Sequence, residues 1–134
     1  MKKLVKLLLL AIAAVLIFTT AACGASFDYD KDAAFSRAKE VIELSNAGDY
    51  QSVCDTFSEI LSAQLSLEQL KTALDPILTA AGSFEAYKNI KAAGLTENDV
   101  DYIVVIAVCE YENNTHTYTI SMTTDMTLTA LYIK

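Results

Sequence analysis

Tryptophan is absent from the 134 residues, histidine and proline each occur once, and glycine occurs four times. So little proline and glycine excludes collagen-like chains and low-complexity disordered chains. One histidine and three cysteines, with no C-x-x-C spacing, leave no ligand cluster for zinc and no dithiol redox motif. Positive charge is also scarce, with 10 basic residues against 17 acidic ones. Three of the ten lie within residues 1–22, which hold no acid, so the chain beyond them carries a formal charge of −10. Such a surface repels phosphate backbones and anionic head groups alike. Nucleic acid is excluded as a partner on this count, and so is a polybasic contact with membranes.

What is present begins with Lys2, Lys3 and Lys6, an unbroken apolar run of 12 residues from Leu7 to Phe18, and then the stretch FTTAACGAS. A spanning helix needs about 20 apolar residues. The shorter run, followed by small residues, therefore reads as a cleaved signal peptide over residues 1–22. Ala21 and Ala22 before Cys23, with Gly24 after it, resemble the lipobox of bacterial lipoproteins, although Thr20 stands where leucine is usual. The resemblance implies diacylglycerol on Cys23, further acylation of the palmitate kind, and a lipid-anchored protein on the extracytoplasmic face of the cell membrane. Two or more acyl chains, at about 0.8 kcal/mol per buried methylene, hold a protein there unaided.

Residues 23–32 then form a lipidated cysteine and short tether, and residues 33–134 one domain of ordinary size. From Asp30, the spacing of Phe35, Ala38, Val41, Ile42 and Ser45 predicts a helix stopped by Gly48. Asp49 caps a second helix with an apolar stripe of Tyr50, Val53, Cys54, Phe57, Ile60 and Leu61. Ser66 and Gln69 form a capping box for a third, through Leu67, Leu70, Leu74 and Ile77, with Pro76 bending or dividing it and Gly82 ending it. Strand-like spacing follows. A short strand is predicted around Phe84 to Ile90, a loop through AAGLTEND, and then three strands in DYIVVIAVCEYE, HTYTISMT and TLTALYIK. Helices followed by strands give an α+β fold with an antiparallel sheet of about four strands.

A two-residue turn at Asn113 and Asn114 sets Cys109 opposite Tyr118, Ala107 opposite Ile120 and Val105 opposite Met122, all on the core face. The other face carries Ile106, Val108 and threonines and offers a surface for a homodimer. For the last strand, a three-residue loop puts Leu128, Ala130 and Tyr132 on the core face, whereas a two-residue loop puts Thr129, Leu131 and Ile133 there; the first is preferred.

AKEVIELSNAGDYQSV, LSLEQLKTALDPILTAAGSF and the terminal LTALYIK together resemble the small bacterial lipoprotein family known as domain of unknown function 3887. Many of its members have glycine where Ala130 stands, which bears on whether the last strand bulges. The resemblance implies a cystatin-like, nuclear-transport-factor-2-like fold: helices across a curved antiparallel sheet, forming a cone that often encloses a pocket. It implies no established activity.

Candidate chemistry is sparse. His116 falls on the core face opposite Tyr111, and related cone folds include isomerases and dehydratases with an Asp or His base, so His116 with Tyr111 or Tyr118 is the enzymatic reading. Against it, Glu110 and Glu112 point to the other face, and a rim histidine beside a turn is the plainer account. Cys54 and Cys109 lie on a helix face and a sheet face expected to meet, either as a disulfide or as two buried thiols. DYDKD at Asp28 to Asp32 alternates carboxylates like a calcium loop but lacks its glycine and closing glutamate, so a solvated spacer and helix cap is expected. Tyr50, Phe57, Phe84, Tyr87, Tyr118 and Tyr132 line either a pocket or a plain core. No cofactor or metal is called for. The sequence thus points to a membrane-anchored, non-catalytic binding module for a partner protein or small apolar ligand.

Overall fold

The computed structural model describes residues 27–134, so the expected signal peptide and the expected lipidation site, Cys23, lie outside the described residues. Helix α1 (Lys31–Asn46) starts where Asp30 Oδ1 accepts the Ala33 N–H at 2.9 Å, and the acidic DYDKD stretch serves as its cap. Ala34, Ala38, Val41, Ile42 and Ser45 bury at helical spacing, with Ala34 on the stripe and Phe35 half-buried at its margin. Gly48 adopts φ 75°, which lets the Asp49 N–H turn back to the Leu44 carbonyl at 2.9 Å.

The second expected helix is two. α2 (Tyr50–Cys54) and α3 (Glu59–Gln64) are each capped, by Asp49 and Ser58. The break falls at Phe57 because the backbone there is taken by the sheet: Ser58 N–H donates to the Leu128 carbonyl at 2.8 Å and Leu128 N–H to the Thr56 carbonyl at 2.9 Å. Ile60, placed on the buried stripe by its spacing, is instead 73% exposed. α4 (Leu67–Ala81) opens on the Ser66–Gln69 capping box and runs through Pro76 without dividing. Leu70 and Leu74 are buried, and Gly82 caps its C-terminal end.

The strands β1 (Phe84–Glu97), β2 (Val100–Tyr111), β3 (Thr115–Thr123) and β4 (Leu128–Ile133) form one antiparallel sheet in sequence order. β1 is twice the expected length. The expected AAGLTEND loop contracts to Asn98 and Asp99, whose φ of 50° and 63° match a tight hairpin, while Ala92 to Glu97 pair with β2. Small side chains suggested a loop there, and the ladder to β2 overrides that local preference.

The β2–β3 turn is Glu112–Asn113, so the register differs by two residues from the expected one: Ala107 faces Tyr118, Val105 faces Ile120, and Cys109 faces His116. A shift of two leaves every side chain on its face. The core face therefore stands as expected, with Val105, Ala107, Cys109, Tyr118, Ile120 and Met122 fully buried. The turn is fixed from outside the hairpin, by Asn113 N–H on the Ala81 carbonyl and Glu112 N–H on the Ser83 carbonyl, each at 2.9 Å.

In β4 both expected alternatives hold in part. Leu128 pairs with Met122 on the core face, Thr129 is then the extra residue of a bulge, and Leu131 and Ile133 face Ile120 and Tyr118. Ala130 and Tyr132 consequently lie on the outer face, opposite Ser121 and Thr119. The helices cover the core face, α1 crossing β1, β2 and β3 and α3 touching β4.

Candidate functional site

At the hairpin end of the core face, three rows of side chains meet the C-terminal half of α1. Phe84 pairs with Tyr111; next come Tyr87, Cys109 and His116; then Ile90, Ala107 and Tyr118. The rings form a chain by edge contacts: Tyr87 to Phe84 at 4.9 Å, Phe84 to Tyr111 at 5.6 Å and Tyr111 to His116 at 5.7 Å between centroids. Lys39 of α1 stands 5.2 Å over the Tyr87 ring.

The polar atoms within this cluster are satisfied internally or sealed. Tyr111 donates to Asn46 Oδ1 at 2.6 Å, so the 2.7 Å contact between its hydroxyl and that of Tyr118 has Tyr118 as donor. Burial pushes the Tyr118 hydroxyl far above its ordinary range, and the Tyr111 hydroxyl upward too. Tyr50 donates to Asp75 at 3.0 Å; burial and that carboxylate push it up to about 12.

His116 keeps the expected face but sits opposite Cys109 rather than Tyr111, since the register is shifted by two residues. Its Nδ1 lies 3.2 Å from the Lys134 backbone oxygen, which can only accept, so Nδ1 is the donor in that contact. Nε2 is buried without a hydrogen-bond partner among the described residues, as is the Tyr87 hydroxyl. The neighbouring Cys109 is fully buried, and desolvation pushes its thiol up to about 11, which denies it thiolate character at neutral pH. Cys54 and Cys109 are free thiols in the structure rather than a bridge, Cys54 half-buried and likewise raised by burial.

Of the six aromatic residues read as lining either a pocket or a plain core, Tyr50, Phe57 and Tyr118 are buried in the core, while Phe84 and Tyr87 are half-buried against it. Tyr132 departs to the outer face because of the bulge. Sequence reasoning passed over Asn46 and Asp75. Their roles depend on tyrosines 65 and 25 residues away in the chain, and nothing in their local spacing signals that. No group of three or more His, Cys, Asp or Glu side chains suited to a metal occurs among the described residues. Nor is any helix among them long and apolar enough to cross a membrane.

The opposite face of the sheet has no layer over it among the described residues. Val104, Ile106 and Val108 run down its centre beside Thr117, Thr119 and Ser121, with Ile106 39% exposed.

No curated protein matches the chain. The chain is similar to a protein from Ruminococcus gnavus ATCC 29149 solved by NMR, at 28% sequence identity and a TM-score of 0.68, over 78% of this chain and 90% of that one. Residues 38–131 match the family described as protein of unknown function (DUF3887), a span running from within α1 into β4, and the chain belongs to that family.

Proposed function

We propose that this chain is a lipid-anchored extracytoplasmic module that acts by contact with another protein, through the outer face of its sheet, and performs no chemistry. The contrast between the two sheet faces carries the reading. On the core face every candidate reactive group is engaged or sealed: His116 by the Lys134 carbonyl and by burial, Cys109 by desolvation, and Tyr111 and Tyr118 by each other and Asn46. A base or nucleophile must reach its substrate, and none of these does. The outer face instead presents partly exposed Val104, Ile106 and Val108, the kind of surface that marks a contact site. Support for the anchor is the run from Lys2 to Cys23, with the small residues Ala21, Ala22 and Gly24 around the cysteine.

Hydroxyl-radical footprinting tests the contact by comparing the chain in its native membranes with the isolated chain at high dilution. Ile106 and Val108 are expected to be protected in the membrane sample, while Ile60, on the helical side, oxidises equally in both. Equal oxidation of Ile106 in the two samples would refute contact through this face. Unaltered protection in a His116→Ala variant is the companion result, and its loss would restore the histidine to consideration.

A further inference from the structure

We infer that the partner presents an acidic, extended segment to the outer sheet face, clasped between Lys91 on β1 and Lys134 beside β4; this rests on that face being the contact surface. The placing of scarce positive charge is the first argument. Beyond residue 22 the chain has seven basic residues, ten less three, against 17 acidic ones. Three of the seven fall on this one face. Lys91 pairs with Ile106 in one row, and Lys134 pairs with Thr117, beside Val108, in the next. These rows, and the row of Val104 before them, hold two lysines and no acid. In the row beyond, Lys88 meets Glu110 at 3.8 Å, a pair that cancels. Lys91 and Lys134 form no ion pair among the described residues. An otherwise acidic molecule thus carries a net positive strip across its uncovered face, with Ile106 and Val108 in the middle.

The spacing of the two lysines describes the segment. Strands about 4.8 Å apart and a row step of about 6.8 Å put their Cα atoms about 16 Å apart, roughly four or five residues of extended chain. Two carboxylates at that interval reach both ammonium groups, and an apolar side chain between them lies over Ile106, which is 39% exposed. The hydroxyls of Thr117 and Thr119 supply donors and acceptors along the way. Width excludes the broader anionic surfaces. Charges further off than about 8 Å are screened at physiological ionic strength, so a narrow segment feels the strip alone. A lipid plane or a nucleic acid is broad and meets the acidic margin too, with Glu97 at one end of the sheet and Glu85 and Glu112 at the other. A strip of two lysines binds weakly, and confinement to the membrane by the anchor makes it sufficient.

Footprinting of native membranes tests this with charge variants. Lys91→Glu combined with Lys134→Glu should abolish the protection of Ile106, which then oxidises at the rate of the isolated chain. Lys91→Arg combined with Lys134→Arg should keep the protection, and so should Lys71→Glu, which removes a positive charge from α4. In the parent, ionic strength of about 0.5 M, where the Debye length is about 4 Å, should abolish protection while the chain stays in the membrane fraction. Both lysines are exposed, so the double variants are expected to keep the parent's unfolding midpoint. Protection that survives the two Glu substitutions or the added salt would overturn the acidic segment and leave contact through this face standing. No protection in the parent would sink the face itself. Vesicles of phosphatidylglycerol mixed with the Cys23→Ala chain supply the remaining arm, and no binding is expected. Binding there that disappears with Lys91→Glu and Lys134→Glu would assign the strip to lipid head groups and overturn the proposal.

Discussion

Tyr111 and Tyr87 sit on neighbouring rows of one sheet face, yet their hydroxyls are in opposite circumstances. Tyr111 links Asn46 to Tyr118, so Tyr111→Phe strands a buried hydroxyl and a partly buried amide oxygen at once. A loss of about 1–3 kcal/mol is expected, as is usual when a buried polar group is left unpaired. The Tyr87 hydroxyl is already unpaired, so Tyr87→Phe removes a burial cost and is expected to be neutral or to stabilise by up to about 1 kcal/mol. Urea midpoints of the two variants decide this, and a destabilised Tyr87→Phe would show that its hydroxyl has a partner in solution. The sequence revealed part of this arrangement. Alternation along β2 and β3 put Tyr118, Cys109 and His116 on the buried face correctly, because a strand's period survives a register error of two. Asn46 was not legible, since its hydrogen bond depends on where α1 ends over the sheet, a fact of packing rather than of spacing.

Among the elements, those with strong local signals formed as expected. Asp30 and Ser66 cap α1 and α4, and Gly48 and Gly82 end them. Where a tertiary contact competed with local preference, the contact prevailed: Phe57 gave up its helical place to bridge Leu128, and the small residues of β1 joined the ladder. The turn after β2 is docked on the end of α4, where the backbone and side-chain amides of Asn113 donate to the Ala81 and Ala80 carbonyls. Gly82 is the hinge of that arrangement. It has φ 81°, and a Cβ there would lie 2.9 Å from Glu112 Oε2 and 3.1 Å from Asn113 Nδ2. Gly82→Ala is therefore expected to cost about 1–3 kcal/mol. Gly48→Ala has the same sign of φ but open space around the new methyl, and should cost about 1 kcal/mol. Adding Glu112→Ala to Gly82→Ala should recover only the carboxylate share of the clash, because the Glu112 Cβ and Asn113 Nδ2 contacts at 3.1 Å remain, and none of the backbone strain. Thermal unfolding of the four chains separates the two contributions, and equal costs at Gly48 and Gly82 would mean that the turn yields freely.

At the scale of the whole molecule, charge and anchor make a joint prediction. A chain at −10 beyond residue 22 gains nothing electrostatically from anionic lipid, so under the proposed reading the acyl chains on Cys23 carry the membrane affinity. Raising the salt concentration should then leave the parent protein in the membrane fraction, because methylene burial is not screened. Cys23→Ala should release the protein entirely, even at low salt where electrostatic retention is strongest. The released domain should keep the parent's unfolding midpoint, since α1 is capped from Asp30 and the described core is assembled from residues within 27–134. Fractionation at two salt concentrations, followed by melting of the released chain, reads both expectations. Salt-dependent release of the parent would point to a charged receptor in place of lipid. Retention of Cys23→Ala would instead assign the membrane contact to protein surface, and the outer sheet face around Ile106 would be the first place to look for it.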